Sequence, residues 1–107
     1  MIEIMVERTA KEGKEGELLE LIGELRGSAL SQRGYISGET LVEYDDPTNF
    51  VIISRWGCPE HWSAWENSTQ RKVIEDKMEP LMRDKPKIRV LKHPALDHIK
   101  GYYRTYP

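Results

Sequence analysis

Apolar residues occupy alternate positions at Ile2, Ile4 and Val6, with Glu3, Met5 and Glu7 between them. A period of two describes a strand with one apolar face. Gly13 and Gly16 punctuate the charged segment that follows. The period then lengthens, and Leu18, Leu21, Ile22, Leu25 and Ala29 fall on one helical stripe opposite Glu17, Glu20 and Glu24. Gly23 and Gly27 each cost about 1 kcal/mol relative to Ala in a helix, which points either to close packing around them or to a cost that is simply tolerated. Gln32-Arg33-Gly34 ends the helix, and alternation returns from Tyr35 to Tyr44, with Ile36, Thr40, Val42 and Tyr44 on one side. The cluster Asp45-Asp46-Pro47-Thr48-Asn49 is a turn signal between two strand patterns, so the second and third strands form an antiparallel hairpin.

The third strand, Phe50 to Trp56, carries Phe50, Ile52 and Trp56 on one face and Val51 and Ile53 on the other, as in a strand buried on both sides. Gly57 and Cys58 turn the chain, and Pro59 suits a first helical position because its missing N–H would be unpaired there. At about 100° per residue, Cys58, His61, Trp62, Trp65 and Thr69 share an inward stripe. Val73, Ile74, Met78 and Leu81 continue a helical pattern, and Pro80 predicts a break near Glu79. Lys87 to Leu91, with Ile88 and Val90 alternating, is a short fourth strand.

The order β-α-β-β-α-β describes an α+β, ferredoxin-like split βαβ domain over residues 1–91, with a four-stranded antiparallel sheet and both helices on one face. The other face is bare. Since the third strand is apolar on both sides, a second copy of the chain is the expected cover, giving a homodimer. Residues 92–107 form an aromatic tail containing Tyr102, Tyr103 and Tyr106, expected to lie on the partner or at a cavity rim.

The chain has 107 residues, enough for one core and one domain. Its 16 basic and 18 acidic residues leave a net charge of -2 and no basic block, which argues against nucleic acid and an anionic membrane surface as partners. No apolar run approaches a membrane span or a secretory signal, and a single cysteine, Cys58, rules out an internal disulfide framework. A cytoplasmic location is the expectation.

All three tryptophans lie between Trp56 and Trp65. Indole faces stack on planar ligands and exclude water, so Trp56, Trp62 and Trp65 are candidates for the walls of an aromatic-binding cavity. A packed core explains the same spacing. His61 falls in the first turn of its helix, where the macrodipole favours neutral imidazole and hence a general base; a partly exposed histidine near the cap is the simpler role. Arg55 is a candidate for holding a phenolate or carboxylate, although its strand parity is opposite to that of Trp56. Cys58 precedes a helix but has no basic partner fixed by sequence, and His61, His93 and His98 lack any metal-ligand spacing.

Ser54-Arg55-Trp56, the helix His61-Trp62-Ser63-Ala64-Trp65-Glu66-Asn67-Ser68 and the entry Gly34-Tyr35 together resemble the antibiotic biosynthesis monooxygenase domain over residues 2–91. The resemblance implies a dimeric α+β barrel and, in some members, oxidation of phenols or hydroquinones by O2 without a cofactor. For such an oxygenase, helix phase and the helix N-terminus make His61 and Trp65 the catalytic candidates, with Trp56, Trp62 and Arg55 binding the substrate. A haem-degrading branch of the same family carries an asparagine, a tryptophan and a histidine at positions that fall here on Val6, Trp65 and Glu75. Only the tryptophan is present. The tail from Asp97 to Tyr103 resembles that branch, which leaves haem or a small aromatic ligand held without turnover as the alternative.

Overall fold

The computed structural model describes residues 1–94, so the expectations for the tail beyond Pro94 lie outside the described residues. Four strands, β1 (Ile2–Thr9), β2 (Tyr35–Glu43), β3 (Asp46–Trp56) and β4 (Lys87–Leu91), form an antiparallel sheet in the order β2-β3-β1-β4. The helices α1 (Glu15–Ala29), α2 (Pro59–Glu66) and α3 (Thr69–Met78) cover one face. This is the expected ferredoxin-like α+β architecture. No helix among the described residues is long and apolar enough to cross a membrane.

The alternation of β1 runs further than its apolar residues. Ile2, Ile4 and Val6 are buried, and the same inward row continues through Arg8, 1% exposed, to Ala10. The stripe of α1 meets this row: Leu18, Ile22 and Ala29 are buried, while Leu21 and Leu25 are partly buried against the core. Two clusters result, one around Trp56 and Trp65 and the other around Phe50, Leu18 and Met78.

Four expectations need correction. A Cβ on Gly23 or Gly27 would meet nothing within 4 Å, so these glycines reflect no close approach and only weaken the helix. The hairpin is tighter than its turn signal: Tyr44-Asp45 alone separates β2 from β3, and Asp46 to Asn49 belong to β3. The Asp46 carboxylate accepts from the Thr48 backbone N–H and hydroxyl at 3.0 and 2.6 Å, so the turn chemistry is spent on a local irregularity within the strand. The helix after β3 divides at Asn67-Ser68, where the Ser68 hydroxyl caps α3 by accepting the Arg71 N–H; Thr69 therefore leaves the tryptophan helix. The expected break near Glu79 is present as well, as a 3-10 turn over Glu79–Leu81 containing Pro80.

The fourth correction concerns β2. Tyr35 pairs with Trp56 and Ser37 with Arg55, so the ladder gains an extra residue at Ile36. That β-bulge reverses the alternation. Tyr35 joins Gly38, Thr40 and Val42 on the helix-covered face, opposite Trp56, Ser54, Ile52 and Phe50, and Ile36 is left exposed instead of sharing the row of Thr40.

Candidate functional site

A cavity of about 50 Å³ lies between the sheet and the helices. Val6, Ile4 and Ile52 from the sheet and Ile22 and Leu25 from α1 form its apolar floor and sides. All three tryptophans line it. Trp56 is fully buried at the end of β3, with its indole N–H donating to Ser54 Oγ at 3.1 Å. Trp65 is 4% exposed and belongs to the core cluster of Ile2, Ile4, Val6 and Ala29, and Trp62 is half-buried one turn earlier on α2. The inward stripe of α2 therefore turns both of its indoles toward the sheet.

Tyr35 was not legible as a site residue. The bulge brings its ring edge-on to Trp56, with centroids 5.4 Å apart and planes at 89°. Its hydroxyl is buried and has no hydrogen-bond partner among the described residues. Gly38 makes room for that hydroxyl, since a Cβ there would collide with it. Above it, Arg26 of α1 donates from Nη2 to the Gly38 carbonyl at 2.7 Å, tying the helix to the sheet beside the cavity.

The other end of the cavity is cationic. Arg8 donates from both terminal nitrogens to the two Glu75 oxygens at 2.7 and 2.8 Å, and Arg71 Nε reaches Glu75 Oε2 at 3.0 Å. Arg8 and Arg71 line the cavity, whereas Glu75 lies outside its lining. Burial pushes the Glu75 carboxyl up, but the hydrogen bond and charge of Arg8, joined by Arg71, hold it below its ordinary value. Two features of the sequence point to this cluster: the period of β1, which carries Arg8 inward after Val6, and the i,i+4 spacing of Arg71 and Glu75 on α3.

His61 and Arg55 stand elsewhere. The His61 ring packs on the Gly34 backbone, whose φ of +86° and missing Cβ accommodate it, and its Nδ1 is buried without a hydrogen-bond partner among the described residues. It is absent from the lining, which corrects the expectation that it stands at the cavity mouth. Gly57 N–H donates to the Gly34 carbonyl at 2.8 Å, so the chain entering β2 is pinned under the first turn of α2. His61 lies one turn, about 6 Å along the axis, before Trp65 and meets that crossing. Arg55 faces the bare side of the sheet, where it pairs with Glu3 at 2.9 Å and with Glu39 at 3.7 Å. Its parity opposite to Trp56 accounts for this.

The described residues offer haem no axial ligand at the cavity. Among the described residues the lining contains no imidazole or thiol, and the carboxylate at the position of the branch's histidine, Glu75, is already held by two guanidiniums. Among the described residues no group of three or more His, Cys, Asp or Glu side chains is arranged to hold a metal ion. The cavity is also small. An apolar cavity of about 150 Å³ holds benzene, so a ring enters this one only when a lining side chain such as half-buried Trp62 or exposed Arg26 swings aside.

Solved structures with the same architecture are numerous. A putative antibiotic biosynthesis monooxygenase from Nitrosomonas europaea matches with a TM-score of 0.81 and 18% identity, covering 88% of this chain and 99% of its own. A conserved protein of unknown function from Bacteroides thetaiotaomicron, described as a possible oxidoreductase, gives 0.78 at 20% identity over 86% of this chain and 96% of its own. SnoaB, a cofactor-independent oxygenase from Streptomyces nogalater, gives 0.76 at 14% identity over 87% and 93%. At such identities the likeness establishes the fold. No curated protein matches the sequence. Residues 1–77, most of the chain, match the family described as antibiotic biosynthesis monooxygenase, and the protein belongs to that family.

Proposed function

We propose that the protein is a cofactor-independent monooxygenase that oxidises a small phenol or hydroquinone with O2. The observation that carries this reading is the cavity itself: three indoles and a phenol on an apolar floor, closed at one end by buried arginines. A planar ring stacks on such walls, and positive charge without bulk water stabilises its anion more strongly than solvent does. The bound phenolate then passes an electron to O2. For a phenol converted to a quinone, one oxygen atom enters the ring and the other leaves as water, with the substrate supplying the electrons. The protein contributes binding, orientation, exclusion of water and stabilisation of the anion. Family membership and the likeness to a cofactor-independent oxygenase support the same reaction class. Since His61 stands one turn outside the cavity, the arginines and the Tyr35 hydroxyl are better placed than its imidazole to act on the substrate oxygen.

The test is oxygen uptake by chelator-treated protein with a panel of naphthols and hydroquinones. Uptake above the buffer rate, with quinone formed in step, is the expected result. Ligand binding without uptake would replace this reading with that of a binding module.

The bare face of the sheet supports a homodimer. Met5, Val51, Ile53, Leu41 and Leu91 form an apolar field there, beside the Glu3–Arg55–Glu39 ion pairs, and no described segment covers it. Sedimentation velocity at micromolar concentration should give a species of twice the chain mass. A folded species at the chain mass itself would remove the proposal.

A further inference from the structure

The arginine cluster is unbalanced. Arg8 and Arg71, 1% and 5% exposed, share a single carboxylate, and that carboxylate stands behind them as seen from the cavity. Arg8 spends both terminal nitrogens on Glu75, one of them also touching Met82 Sδ at 3.7 Å. Arg71 spends only Nε; among the described residues its two terminal nitrogens have no hydrogen-bond partner. A guanidinium carries its donors in a rigid fork suited to a planar oxyanion. Arg71 lines the apolar cavity together with Arg8, which leaves one positive charge of the cluster unbalanced there. Two guanidiniums share one carboxylate, so a ligand that brings a second negative charge gains an ion pair that the fold itself does not supply.

The opposite end supplies the second polar contact. The Tyr35 hydroxyl lies beside Gly38, which is level with Ser54 and Ile4 in the sheet, whereas Arg8 is four residues further along β1. Four residues of strand span about 13 Å. We infer that the cavity, once Trp62 or Arg26 swings aside as any ring requires, takes an elongated planar phenol bearing a carboxylate at its far end, the carboxylate held by Arg71 with Arg8 behind it and the phenolic oxygen meeting Tyr35. This deepens the proposed function and rests on its assignment of the cavity as the substrate site, but it specifies a charge requirement that oxidation of a neutral phenol does not need.

Titration of the tryptophan emission with 6-hydroxy-2-naphthoate and with its neutral carboxamide tests it. A charge-assisted hydrogen bond in a dry site corresponds to tenfold or more in affinity, so the wild-type protein should bind the carboxylate at least about tenfold more tightly than the amide. Arg71→Gln should reduce the preference to about twofold or less, and Arg71→Lys, which keeps the charge and loses the fork, should restore part of it. Equal binding of the two ligands by the wild type overturns the inference, whether or not the variants fold, as does a preference unchanged in Arg71→Gln. Equal binding accompanied by oxygen uptake with neutral naphthols would leave the proposed function standing while removing the carboxylate. Failure of both ligands to bind would remove both.

Discussion

Glu75→Ala is expected to destabilise the fold by about 3 kcal/mol or more, because it strands two buried guanidiniums without their common counter-ion. For a domain of this size each kcal/mol shifts the melting temperature by about 4–8 °C, so a fall of 10 °C or more should be visible in a thermal melt. The effect has a pH signature. The Glu75 carboxyl is held below its ordinary value in the fold, so it contributes stability above the unfolded carboxylate range and loses it as the pH falls through the folded pKa. The gap between wild type and Glu75→Ala should therefore be full near neutrality and close in acid. Replacing the triad with apolar residues of similar size, as in R8M/R71M/E75L, should recover most of the loss, since buried ion clusters rarely outperform good packing. A Glu75→Ala protein that melts with the wild type would show that the arginines are satisfied by something other than Glu75. Recovery in the triple variant together with loss of carboxylate preference would separate the functional value of the cluster from its structural one.

Trp65→Ala should cost about 3–5 kcal/mol and weaken binding of a planar ligand by tenfold or more. The side chain is 4% exposed, packs in the same cluster as Ile2, Ile4, Val6, Ala29 and Trp56, and forms a cavity wall. Truncation of a buried aromatic removes its transfer free energy and leaves a void. It also removes the stacking surface, worth about 0.5–1.5 kcal/mol beyond buried area. Trp65→Phe separates the two effects: a smaller loss of stability with a clear loss of affinity is expected for a wall, whereas loss of stability alone identifies a core residue. Chemical denaturation and quenching of the remaining indole emission give both quantities on one sample.

Much of this arrangement can be traced to particular residues. The two periodicities in residues 2–29 and the Pro59 helix start are local signals, and each produced its element. The three tryptophans reached the cavity because strand parity and helical phase place Trp56 and Trp65 on facing surfaces. His61 shares that helical phase but not the axial position, and the obstruction it meets, the Gly34 backbone, arrives from 27 residues earlier in the chain. The arginines escaped notice for a different reason. The period of β1 carries Arg8 inward, but a charged residue continuing an apolar row reads as the end of that row until its distant partner on α3 is seen. Tyr35 depended on an extra residue that no local pattern announces.

That extra residue divides β2 into two independently anchored parts. From Gly38 to Val42 the strand takes its register from the hairpin, whereas Tyr35 takes its position from Trp56 and from the bond between Gly57 and the Gly34 carbonyl. Side-chain direction in a strand has a memory of two residues, and a bulge erases it. The exposed hairpin can thus lengthen or shorten over generations without passing a change of phase to the phenol in the cavity wall, so the outer edge of the sheet is free to drift while the chemistry at its centre keeps its alignment.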